Sequence, residues 1–79
     1  MNWRDYIEQR PDIMMGKPVI KGTRLTVEIL LESLSDGATE TDLLAAYPRL
    51  QSVHIQAALA FAAASLSTEL TVFADVHAE

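Results

Sequence analysis

Apolar positions recur at helical spacing through the middle of the chain and at no regular spacing before it. In the first helical stretch Val27, Leu30, Leu31 and Leu34 stand at i, i+3, i+4 and i+7. Thr26 is a suitable N-cap, Leu25 and Leu30 occupy the two positions of a hydrophobic staple, and Gly37 suits the left-handed position after the helix. A second helix starts at Thr39, with Asp42 three residues on as a variant capping box, and turns Leu43, Leu44 and Tyr47 inward. It stops near Tyr47, because Pro48 disfavours helical geometry in the residue before it. After a short connection the pattern predicts a third helix from about Ser52 to Leu66. Three helices joined by tight turns, the middle one short, outline a helix-turn-helix unit.

The flanks read differently. Residues 1–25 are interrupted by Pro11, Gly16-Lys17-Pro18 and Gly22. Short extended pieces are expected around Ile13–Met15 and Val19–Ile20, too short to stand alone and so paired with each other or with a second chain. After Ser67 the segment Leu70–Phe73 favours a strand and the rest a loose terminus. The expected fold is mainly α: one three-helix, helix-turn-helix-like domain over residues 1–79. Its parts are short N-terminal β-strands and a basic loop (1–25), the helical unit (26–67) and a tail (68–79).

The third helix carries two apolar strips on a helical wheel. Ile55, Ala58, Leu59, Ala62 and Leu66 form one; Val53, Ala57, Ala60, Phe61 and Ala64 form the other. Polar seams of His54 with Ser65, and of Ser52, Gln56 and Ser67, separate them. A helix apolar on both sides is buried on both sides. One strip serves the domain core; the second, mostly alanine, suits a dimer interface with the same helix of another subunit. The alternative is enclosure by the amino-terminal strands and the tail.

Composition narrows the classes. Seventy-nine residues make one small domain, with little core to spare unless a partner completes it. With no cysteine there is no disulfide, thiolate metal site or cysteine nucleophile. At 49% hydrophobic the chain is too apolar for disorder. The start, Met1-Asn2-Trp3-Arg4-Asp5, has no apolar stretch behind it, and the most apolar window, Val53–Leu66, is shorter than the roughly 20 residues of a membrane span, so a cytoplasmic protein is expected.

The net charge of −5 divides unevenly. Residues 1–27 set Arg4, Arg10, Lys17, Lys21 and Arg24 against Asp5, Glu8 and Asp12, for +2. Residues 28–79 set Arg49 alone against Glu28, Glu32, Asp36, Glu40, Asp42, Glu69, Asp75 and Glu79, for −7. A basic face suited to phosphate can therefore coexist with an acidic body. The plainer alternative is an ordinary acidic surface.

The densest cluster of specific residue types is Gly16-Lys17-Pro18-Val19-Ile20-Lys21-Gly22-Thr23-Arg24. Its glycines permit positive φ and its proline fixes φ, so three cations sit on a constrained backbone near a helix start, where phosphate or carboxylate can bind. The glycine spacing is not that of a P-loop. The structural alternative is a tight loop whose Arg24 pairs with Glu28.

The run GKPVIKGTRLTVE, then SDGATETDLLAAYPRL, then IQAALAFAA resembles the domain-of-unknown-function family 433 over roughly residues 7–64. The resemblance implies a helix-turn-helix-like antitoxin of a type II toxin–antitoxin pair. Such a protein binds and silences a PIN-like nuclease toxin and, as a homodimer, represses its own promoter. The chain departs from the family pattern in placing Gln51-Ser52 before the third helix, where Ser52 takes the cap role with a shift of one residue.

The expected DNA contacts are Lys17, Lys21 and Arg24 from the loop, and Arg49, Gln51 and Ser52 from the turn into the third helix, which itself has no Lys or Arg. The tail residues Leu70, Val72, Phe73 and Val76 and the acidic half are expected to engage the toxin. No catalysis, metal or cofactor is expected. His54 and His77 are too few and too far apart, and Glu28, Glu32 and Asp36 at i, i+4, i+8 read as a solvated acidic face. Two alternatives remain open: a dimeric protein-interaction module that binds no DNA, and a small-anion sensor built on the Gly16–Arg24 loop.

Overall fold

The first four backbone N–H groups of each helix lack an internal partner, and the chain supplies caps at the expected threonines. In the computed structural model, which describes the backbone of residues 1–76 and the side-chain surroundings of residues 1–67, α1 spans Val27–Ser35, α2 Glu40–Ala46 and α3 Ser52–Val76. Thr26 Oγ1 accepts the Ile29 N–H at 3.1 Å, which satisfies a hydroxyl that is almost wholly buried. At the other end of α1, Gly37 takes φ +101°, while Ala38 N–H donates to the Ser33 carbonyl and Gly37 N–H to that of Leu34. That bond pair is a Schellman motif. Thr39 and Asp42 form a reciprocal capping box on α2. Tyr47, ahead of Pro48, is extended at φ −125° and ψ 93°.

Two short strands complete the fold: β1 (Ile7–Glu8) and β2 (Val19–Ile20), antiparallel, with Ile7 opposite Ile20 and Glu8 opposite Val19. The strand at Val19–Ile20 is where the pattern placed it; the one expected around Ile13–Met15 is not. Met14–Gly16 is instead a tight 3-10 turn in which Met14, Met15 and Gly16 all take left-handed φ, +48°, +58° and +83°. Left-handed backbone costs a non-glycine residue about 1 kcal/mol or more. The partner of β2 is supplied by Ile7, whose side chain reaches the core.

That core comprises Ile7, Val19, Ile20, Val27, Leu30, Leu43, Leu50, Ile55, Ala57 and Ala58. Leu25, Leu31, Leu34, Leu44 and Tyr47 pack against it in part. The amino terminus joins through two ring contacts to α3. Trp3 meets Phe61 edge-on at 4.8 Å between centroids, and Tyr6 meets His54 at 6.0 Å.

α3 differs from expectation in two ways. It continues to Val76 through the segment where a strand and a loose tail were expected. No Gly or Pro follows Pro48, and adding residues to a formed helix is far easier than starting one. Its inward face is also rotated from the expected strips. Half-buried His54, expected in a polar seam, faces Tyr6, whereas Leu59 and Leu66 are half-exposed. No helix among the described residues is long and apolar enough to cross a membrane.

Candidate functional site

The loop that carries the cationic motif is held by its own hydrogen bonds. Ile20 N–H donates to the Leu25 carbonyl at 2.9 Å and Thr23 N–H to the Ile20 carbonyl at 3.0 Å. A β-turn over Ile20–Thr23 results, and Gly22 in its third position takes φ +77°. Thr23 stitches it: its hydroxyl donates to the Ile20 carbonyl at 2.8 Å and accepts the Leu25 N–H at 3.0 Å. Glu8 Oε2 accepts the Gly22 N–H at 3.2 Å. The backbone N–H groups of Lys21, Gly22 and Thr23 are all engaged, the first by the Tyr6 carbonyl, and the Lys21 and Arg24 side chains are left exposed on the loop.

The turn into α3 is built on the same logic. Leu50 N–H donates to the Tyr47 carbonyl at 2.9 Å, with Pro48 at the second position of the turn. Leu50 is buried and anchors the turn, while Arg49 is exposed at its corner. At the start of α3, His54 Nδ1 accepts the Gln51 N–H at 2.9 Å. That bond is the returning half of a capping box, with His in place of Glu, and it makes Gln51 the residue that precedes the first turn. Ser52 lies within the helix rather than at its cap, and Gln51 and Ser52 are both exposed.

These two turns face one another. Ile20, Leu25, Tyr47, Pro48 and Leu50, with Thr23, form an apolar groove of about 370 Å³, and Arg24 and Arg49 line it from opposite sides. Neither arginine has an ion-pair partner among the described residues, and Glu28, the expected partner of Arg24, pairs with Lys17 Nζ at 3.2 Å. The structure thus gathers Arg24, Arg49, Gln51 and Ser52 with Lys21 in the adjoining turn, and separates Lys17 from them. Thr23, Glu8 and the floor residue Tyr47 had no assigned part in the expected site. The signal for Thr23 was its place between Gly22 and Arg24, where a hydroxyl closes the turn.

A second groove, about 380 Å³, runs between α1 and α3. Its walls are Pro18, Val27, Leu31, Phe61, Ala62 and Leu66, with Glu28, Glu32 and Ser65 along them. The expected dimer strip divides across α3. Ala57 is wholly enclosed by the chain's own core and has no surface left for another subunit. Phe61 packs on Trp3, Val53 and Ala60 are half-buried, and Ala64 is exposed. Leu70, Val72, Phe73 and Val76 lie on the helical backbone of α3 with side chains outside the described residues, and His77 lies outside them altogether. Among the described residues no three His, Asp or Glu side chains are grouped as a metal ion needs. Hydrogen bonds from the backbone and side chain of Thr39 hold the Asp42 carboxyl below the usual 3.8.

Comparison with known proteins gives consistent results. The model of a family described as a protein of unknown function, DUF433, matches residues 7–62. The uncharacterized protein y4eO of Sinorhizobium fredii (strain NBRC 101917 / NGR234) is 34% identical over 74 residues, which is 92% of this chain. The chain spans only 34% of that relative's length. A crystal structure of a DUF433 member from Anabaena variabilis superposes with a TM-score of 0.72 at 25% identity, over 96% of this chain and 71% of the other.

Proposed function

The chain belongs to the DUF433 family, and we propose that it is a non-catalytic, cytoplasmic antitoxin of a type II toxin–antitoxin pair: it silences a PIN-like nuclease and, as a homodimer, represses its own promoter by binding DNA. The observation that carries this reading is the convergence of Arg24 and Arg49, 25 positions apart in sequence, on one groove beside the exposed Gln51 and Ser52 at the start of α3. Lys21, Arg24 and Arg49 hold phosphates; Gln51 and Ser52 stand where a recognition helix meets base edges. α3 has no Lys or Arg, so affinity comes from the two turns. Three cations per subunit imply a salt slope near −5 for a dimer, at about −0.9 per phosphate. The carboxylates of α1, Glu28 and Glu32, face away from that role and suit the cationic RNA groove of a nuclease.

The test is a gel shift on the DNA upstream of the protein's own gene, with Arg24→Ala/Arg49→Ala beside the wild type. Both side chains are exposed, so stability should stay within about 0.5 kcal/mol while DNA binding is lost. Wild type that binds nothing at low salt, with or without its partner, ends the DNA half of the reading. The second reading, a dimeric interaction module that binds no DNA, is favoured by the lack of any Lys or Arg on α3 and by the exposed Glu40 and Asp42 on α2.

A further inference from the structure

We infer that the groove between α1 and α3 receives the Met14–Met15 turn of a second copy of this chain, and that the exchange is reciprocal, giving a two-fold dimer. The inference rests on the dimeric state in the proposed function and names its surface; it uses none of the DNA-contacting residues Lys21, Arg24, Arg49, Gln51 and Ser52.

Three observations converge. Met15 is 92% exposed and Met14 40%, on a turn whose backbone holds two successive non-glycine residues in the left-handed region. Nothing within the chain's own fold uses the Met15 side chain, yet the backbone is kept in the conformation that projects it. Methionine is unbranched and polarizable, suited to filling an irregular apolar space. The groove supplies such a space: about 380 Å³, walled by Val27, Leu31, Phe61 and Leu66, with Leu66 still 49% exposed.

Charge selects the occupant. Glu28 and Glu32 border the groove, and the Met turn is followed directly by Lys17. Within one chain Lys17 satisfies Glu28, while Glu32 has no ion-pair partner among the described residues. In the dimer the Lys17 of each copy, still against its own Glu28, also meets the partner copy's rim carboxylate as Met15 enters, so two lysines bridge four glutamates.

Symmetry supplies the third argument. A two-fold interface requires each patch and its complement to lie on the same face of one subunit. The Lys17–Glu28 contact ties the root of the turn to the rim of the groove, and the next residue, Pro18, forms part of its wall. Knob and hole are neighbours, as reciprocal exchange demands.

Sedimentation over a concentration series tests this on the full chain. Wild type should show a reversible monomer–dimer equilibrium. Met15→Glu removes the knob and Leu66→Glu spoils the hole; each residue is exposed, so the monomer should keep its helical circular dichroism, and each variant should weaken dimerisation at least about ten-fold. Met15→Ser repeats the first test without an added charge. Mixing Met15→Glu with Leu66→Glu should restore part of the association, because one intact knob then meets one intact hole. A wild type that stays monomeric overturns the inference. So does a dimer indifferent to Met15 and Leu66 but broken by Ala64→Glu, which returns the interface to the exposed side of α3. A dimer that never binds DNA removes the DNA reading alone, and a DNA-binding monomer removes this inference together with the homodimeric state but leaves DNA binding standing.

Discussion

Two grooves of nearly equal volume, about 370 and 380 Å³, open on this small domain, and they differ chiefly in the sign of their rims. One lies between two turns and carries Arg24 and Arg49; the other lies between two helices and carries Glu28 and Glu32. Both floors are continuations of one core, since Ile20 and Leu50 line the first and Val27 the second. Apolar burial therefore does not distinguish the sites. The difference lies in how each rim charge is held. The arginines stand on backbone turns closed by hydrogen bonds, whereas the glutamates stand on successive turns of α1, with Lys17 already against one of them. A chain of net charge −5 thus still presents a cationic rim held by loops beside an acidic rim held by a helix.

The strongest way to break the comparison is beneath both grooves at once. Leu30 is wholly buried on α1. Leu30→Ala should cost about 2–5 kcal/mol, a large part of the stability of a domain this size, and chemical denaturation will show both sites lost together. Phe61→Ala separates them. Phe61 walls the acidic groove and packs on Trp3, the chain's single tryptophan. Being only half-buried, it should cost less than a core phenylalanine, about 2–3 kcal/mol. Trp3 emission should shift at once, while binding through Arg24 and Arg49 persists in the folded fraction.

The unequal legibility of the two sites in the sequence has the same physical origin as their difference. Caps and turns obey local rules, so Thr26, Gly37, Thr39, Asp42 and Pro48 mark α1 and α2 within a residue or so of where they lie. The cationic motif was visible for the same reason: Gly22 and Thr23 close a turn with their own atoms. Non-local pairing left no such mark. The partner of β2 is Ile7–Glu8, not the equally apolar Ile13–Met15, and only the finished sheet distinguishes them. Nor did anything in a run with a single nearby glycine announce two left-handed methionines. α3 is the extreme case. Alanine on nearly every side gives it almost no amphipathic contrast, so its inward face is decided by what arrives from the amino terminus, Trp3 on Phe61 and Tyr6 on His54. The two strips read from the wheel were therefore each split between core and solvent.

A smaller effect sharpens the contrast from the other side. Gly22 holds φ +77°, and a Cβ there would meet open space, so Gly22→Ala has a conformational cost alone. That cost should be about 1–2 kcal/mol in a denaturation curve. Its signature is selectivity: the turn presenting Lys21 and Arg24 loosens, the gel shift weakens, and Trp3 emission in the native baseline does not change. A shift in Trp3 emission would mean that the two grooves are coupled through β1 and β2 rather than independent.

The smallest expected effect sits on α2, the helix that leads into the Tyr47–Pro48 wall of the arginine groove. Asp42 accepts the Thr39 N–H at 2.9 Å, and this bond with the threonine's other contacts holds its carboxyl below 3.8 in the folded chain. A depressed folded value means that, between it and the ordinary value, the unfolded chain binds more protons than the folded one, so stability rises with pH there. The contribution is complete above about 3.8 and disappears as pH falls through the lower folded value. Because the group is exposed, only a modest change is expected: the denaturation midpoint should fall between about pH 5 and about pH 3. Asp42→Asn keeps an oxygen acceptor for Thr39 but cannot titrate, so its midpoint should fall less over the same interval. If the two curves fall in parallel, the acid sensitivity does not belong to Asp42 and its capping box adds nothing to the pH dependence.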